Sequence, residues 1–102
     1  VAMHYERRYP PTINTAPEAA LCARVMKDLV GESRVVTDAK PLMAAEDFAF
    51  MLNAKKGAYA WIGNGVGAAG GCMVHNPGYD FNDAILPIGA AYWVRLAEAA
   101  LA

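Results

Sequence analysis

The chain has 102 residues, of which 56% are apolar and 19% charged, with a formal net charge of -1. That length fits one domain at most, and so neutral a balance leaves no basic footprint for nucleic acid, the run Glu6 to Arg8 being too small to supply one. The apolar excess predicts that something other than water covers part of the surface, yet the longest stretch free of Lys, Arg, Asp and Glu, Gly57 to Tyr79, is broken by glycines and an Asn-Pro-Gly turn and predicts no membrane span.

In "VAMHYERRY" the bulky apolar residues Val1, Met3 and Tyr5 alternate with Ala2, His4 and Glu6, the period of a strand with one buried face. His4 falls on the wetter face. Pro10 and Pro11 then remove two backbone donors and end strand pairing, which marks a hinge or domain crossing. Thr15 caps a predicted helix running through "PEAALCARVMKDLVG", with Pro17 and Glu18 suited to its first turn and Gly31 placed to end it. Leu21, Val25, Met26 and Leu29 form its apolar face.

"SRVVTD" is a short β-branched run that reads as a strand. A second helix starts at Glu46 and Asp47, buries Phe48, Met51 and Leu52, and stops near Lys55 to Gly57. "AYAWIG" reads as a strand buried on both faces, and the glycines from Gly63 to Gly71 then interrupt regular structure. The last helix, from about Asp83 to Ala100, begins at Asn82 or Asp83 as a cap and admits Pro87 in its first turn. It is apolar almost all round and needs neighbours on more than one side. This order of elements predicts an α/β layered domain whose sheet is completed by residues outside the chain.

The candidate motifs are weak when taken one at a time. "GVGAAG", Gly65 to Gly70, matches a dinucleotide fingerprint, but Pro77 and Gly78 prevent the helix that the phosphate site needs, so the glycines read as a loop. Cys22 and Cys72 form no CxxC pair, which predicts free thiols in a reducing, cytoplasmic setting. His75 stands in a polar turn with Asn76, Asp80, Asn82 and Asp83; locally it reads as a structural turn histidine, with metal ligation as the alternative. Ser33 has no nucleophile-elbow context, and no catalytic residue is assigned within the chain.

Three segments in order, "YPPTIN", "AAEDFAFML" and "GAYAWIGNG" continuing to "HNPGYDFNDAILPIGAAYW", together resemble the C-terminal end of the metal-dependent amidohydrolases. That family includes hippurate hydrolases, bacterial aminoacylases, N-acetyl-diaminopimelate deacetylases and plant auxin-conjugate hydrolases. The resemblance implies the C-terminal portion of a zinc-exopeptidase-like three-layer α/β sandwich with an incomplete sheet. Residues 1–13 would be the last strand of a lid, or dimerisation, domain with its hinge, and residues 14–102 the returning catalytic domain.

The resemblance also implies that His75 is the last ligand of a two-metal site, the other ligands and a glutamate base lying upstream. Zinc, manganese or cobalt would serve the intact enzyme, and none would be held by these residues alone. Asn14 would touch the substrate carboxylate or stabilise the hinge, and Gly65 would border the substrate pocket. Glu46 and Asp47 match an acidic pair of the family, although Ala44 and Ala45 precede them where Gly and Ser are usual; with Asp80 and Asp83 they are outer-shell candidates or plain helix-terminal charges.

The expected activity is hydrolysis of N-acyl amino acids by a metal-activated water, with the chain inert by itself. The alternative is a non-catalytic assembly module. On either reading the uncovered apolar surface predicts self-association.

Overall fold

A computed structural model describes residues 1–66 and 71–102. Among the described residues there are three helices: α1, Ala16–Val30; α2, Phe48–Ala54; and α3, Leu86–Leu101. Short 3-10 turns occupy Glu32–Arg34 and Asp83–Ile85.

The sequence places α1 well. Thr15 stands at its N-cap and Pro17 in its first turn, and Gly31, at φ 88°, lets the chain leave while its N–H donates to the Lys27 carbonyl over 2.9 Å. Lys27 in the last turn pairs with Glu32 at 2.9 Å, a solvent-facing contact of small energetic weight. The Thr15 hydroxyl makes no cap bond to the helix. It is used elsewhere, as described below, although its nearness still holds the Glu18 carboxyl below the usual range.

The last helix begins later than expected: Asn82 caps the Asp83–Ile85 turn, its Oδ1 accepting from Ala84 N–H, while α3 itself starts at Leu86 after Ile85 with no side-chain cap, and Pro87 falls in its first turn, where no backbone donor is lost. The helices α1 and α3 pack together, and Val25 and Tyr92 are buried there. Burial pushes the Tyr92 phenol up, with the Cys22 thiol beside it adding to the effect. By length and apolar composition alone, the stretch Asp83–Leu101 would also suffice to cross a bilayer. Here its Tyr92 face lies on α1, and most of its remaining apolar surface faces outward.

Among the described residues no strand ladder forms. The segments 1–9, 33–38 and 58–63, read as strands from their composition, carry none, and the run 33–38 instead opens in the Glu32–Arg34 turn. A strand needs a neighbour to accept its backbone bonds. The N-terminal segment rests on α2 through the Tyr9 and Phe50 rings, 5.6 Å apart. Among the described residues Val25, Ala49 and Tyr92 form the buried apolar core, while Trp61, Trp93 and Leu101 stay largely exposed.

Candidate functional site

His75 lies in a tight turn closed by Asn76 N–H donating to the Met73 carbonyl over 3.2 Å. A second turn follows at once: Tyr79 N–H donates to the Asn76 carbonyl over 2.9 Å, and Gly78 N–H donates to Asn76 Oδ1 over 2.8 Å. Within this double turn His75 adopts φ 69°, the one left-handed backbone among the described residues that is not a glycine. Such a conformation costs a side-chain-bearing residue about 1–2 kcal/mol and is retained where neighbouring bonds impose it, often at functional positions. The His75 side chain is exposed.

The loop carrying His75 is fastened at its base by two asparagines. Asn64 Nδ2 donates to the Asp80 carbonyl over 2.8 Å, Asn82 N–H donates to Asn64 Oδ1 over 2.9 Å, and Asn82 Nδ2 donates to the Asn64 carbonyl over 3.1 Å. Asn82 Oδ1 remains to cap the Asp83–Ile85 turn. Gly65, at φ 101°, turns the chain away from this clasp, and a Cβ there would stand 3.2 Å from Asn82 Nδ2. The glycine loop expected to border a pocket is described only at its two ends, since residues 67–70 lie outside the described residues.

A second clamp joins the two other parts of the sequence pattern. Asn14 Nδ2 donates to the Tyr59 carbonyl over 2.9 Å, and Tyr59 N–H donates to Asn14 Oδ1 over 2.8 Å. Next to it, Thr15 N–H and the Thr15 hydroxyl both donate to the Gly57 carbonyl, at 3.0 and 2.9 Å, while Gly57 N–H donates back to the hydroxyl over 2.9 Å. The Tyr59 hydroxyl in turn donates to Glu46 Oε2 over 2.9 Å, and Phe48 N–H reaches Glu46 Oε1 at 3.3 Å. The Tyr59 bond is the main reason why the Glu46 carboxyl lies below its usual range and the Tyr59 phenol above its own.

The structure thus joins Asn14 to Glu46 through Tyr59, and Asn64, next to Gly65, to the far end of the His75 loop through Asn82. Asp47 stands at the start of α2 without a side-chain cap bond, Asp80 contributes its backbone carbonyl to the clasp, and Asp83 opens the turn before α3. No group of three or more His, Cys, Asp or Glu side chains gathers among the described residues. Tyr59 and Asn64 went unnoticed in the sequence. Asn64 alone offered a signal, as a polar residue between two glycines in an otherwise apolar run.

The model of peptidase family M20/M25/M40 matches residues 1–99. The chain is 38% identical over 88 residues to hippurate hydrolase of Campylobacter jejuni, covering 86% of this chain and 22% of that protein. Against two proteins of Arabidopsis thaliana, IAA-amino acid hydrolase ILR1-like 2 and ILR1-like 6, identity is 32% and 35%, covering 86% and 88% of this chain and 20% and 19% of theirs. No solved structure gives a significant match. The chain spans about a fifth of the length of the curated relatives it matches. With nearly its whole length matched, from the N-terminal segment through α3, the chain belongs to peptidase family M20/M25/M40.

Proposed function

We propose that the chain is the C-terminal part of a metal-dependent hydrolase that cleaves the amide bond of N-acyl amino acids, with His75 as one metal ligand. The observation that carries this reading is the exposed His75 imidazole held at φ 69° by a double turn. A left-handed histidine is tolerated there because the turn bonds fix the backbone at the Cα that carries the imidazole. Kinship with a protein named hippurate hydrolase supports the substrate class.

The residues present suit a metal as a single donor: one imidazole fits a divalent ion, and the other ligands would come from outside the chain. His75 would hold such an ion together with those outside ligands, and the chemistry supplied there would be a more acidic water and a polarised amide carbonyl. The part played by this chain is positional. The Asn64–Asn82 clasp fastens both ends of the loop, and the double turn fixes the backbone from which the imidazole projects.

The layered fold remains part of the proposal. Tyr59 and Trp61 neighbour each other at 6.4 Å, with Phe48 of α2 at 5.6 Å from Tyr59, while Ile62 Cδ1 lies 3.6 Å from where a Cβ on Gly89 of α3 would stand. Alternating contacts of this kind support reading 58–63 as a strand with a helix on each face, its ladder partners supplied by the rest of the catalytic domain. Residues 1–13 would then be the exit from the lid. A cytoplasmic location belongs to the same reading.

The test is hydrolysis of hippurate and N-acetyl amino acids by the full-length gene product, before and after chelation, beside the isolated 102-residue chain. Chelator-sensitive turnover by the former and none by the latter is expected. Comparable turnover by the isolated chain would overturn the reading.

A further inference from the structure

Asn64 is followed by Gly65, the one Asn-Gly pair in the sequence. That dipeptide is chemically labile because glycine, lacking a side chain, lets its backbone nitrogen approach the preceding amide carbon. In this structure the Asn64 side chain is held at both ends by a distant segment: Nδ2 donates to the Asp80 carbonyl over 2.8 Å and Oδ1 accepts from Asn82 N–H over 2.9 Å. We propose that Asn64 is a latent deamidation site, kept unreactive by its clasp with Asn82, whose conversion unfastens the loop that carries His75.

The reaction needs no oxidant or co-reactant beyond water. Gly65 N bonds to Asn64 Cγ as it gives up its proton, the Cγ–Nδ2 bond breaks, and ammonia leaves with that proton, which forms a cyclic imide. Water then opens the imide at either carbonyl, leaving aspartate or isoaspartate at position 64. Cγ cannot swing toward Gly65 N while both of its polar atoms stay on Asp80 and Asn82. Opening of the clasp therefore gates the reaction.

Conversion removes the donor that faces the Asp80 carbonyl and sets an anionic oxygen against it. The isoaspartate product also lengthens the backbone by one methylene beside Gly65, where the chain already turns at φ 101°. Either product weakens the base of the loop from Gly65 to Phe81. Nothing in this proposal depends on metal binding or on the identity of the substrate.

The test is peptide mass mapping of position 64 in the full-length gene product, aged at mildly alkaline pH in native buffer and in denaturing urea. Native deamidation about tenfold or more slower than in urea is expected, as for a reaction gated by local opening. Asn82→Asp keeps the acceptor that caps the Asp83–Ile85 turn but loses the donor to the Asn64 carbonyl, and should raise the native rate several-fold. Equal rates in buffer and urea, or an unchanged rate in a folded Asn82→Asp protein, would overturn the gating. Should Asn82→Asp fail to fold, the comparison of wild-type protein in buffer and urea decides the matter alone. Asn64→Asp should make the loop more sensitive to limited proteolysis, and unchanged sensitivity would overturn the latch.

Discussion

Asn14 and Tyr59 exchange two hydrogen bonds, side-chain amide to backbone, at 2.9 and 2.8 Å across 45 positions of sequence. The asparagine does for Tyr59 what a neighbouring strand would do, taking its N–H and its carbonyl together. Asn14→Ala should therefore destabilise the protein by about 1–2 kcal/mol, the site being solvent-exposed, and Asn14→Asp by at least as much, since it keeps the acceptor for Tyr59 N–H but sets an anionic oxygen against the Tyr59 carbonyl. Urea denaturation of the two variants checks the order.

Beside this clamp, the Thr15 hydroxyl both donates to and accepts from Gly57. Thr15→Ser should be nearly neutral. Thr15→Val retains the shape but strands the part-buried Gly57 N–H, at a cost of about 1–3 kcal/mol. Thermal or urea unfolding separates the two.

The Tyr59–Glu46 bond predicts a pH dependence with a defined sign. Glu46 titrates below its ordinary 4.5 in the folded chain, so its contribution is present above 4.5 and lost as the pH falls through the lowered folded value. Tyr59 titrates above its ordinary 10.0, so its contribution is present below 10.0 and lost as the pH rises through the raised value. Tyr59→Phe should flatten both limbs of the stability profile, measured by denaturation across the pH range.

At position 75 the backbone and the imidazole can be separated. A glycine relieves the φ of 69° where alanine does not, so His75→Gly should be more stable than His75→Ala by about 1 kcal/mol. Both remove the ligand. Equal stabilities in urea would mean that the left-handed turn carries no strain.

Trp93 and Leu101 on α3 are 67% and 88% exposed, and Val94 beside them is also uncovered. The isolated chain should therefore self-associate, and a double substitution of Trp93 and Val94 by lysine should lower its mass by light scattering. A compact monomer at high concentration would count against this, and against the assembly-module alternative with it.

What the sequence made legible was mostly local. Gly31, Pro17 and Pro87 place the ends of α1 and α3 because their backbone constraints act over a few residues. Asn82 could be read as a cap, but not as one half of a clasp with Asn64, because that pairing depends on how the loop folds back. Tyr59 in "AYAWIG" looked like one more apolar residue, and its link from Asn14 to Glu46 appears only once three separated segments meet. The strand-like runs show the reverse limit: their residue pattern is plain, but a ladder requires paired neighbours, and among the described residues none forms.

The most direct test of the central claim is metal stoichiometry and hippurate hydrolysis for His75→Ala in the full-length gene product, with circular dichroism to verify the fold. Loss of bound metal and a fall in turnover of more than about 100-fold are expected, since even outer-shell substitutions at metal sites typically cost 10–100-fold. A folded variant that keeps its full metal complement and its turnover would contradict the assignment of His75 as a ligand.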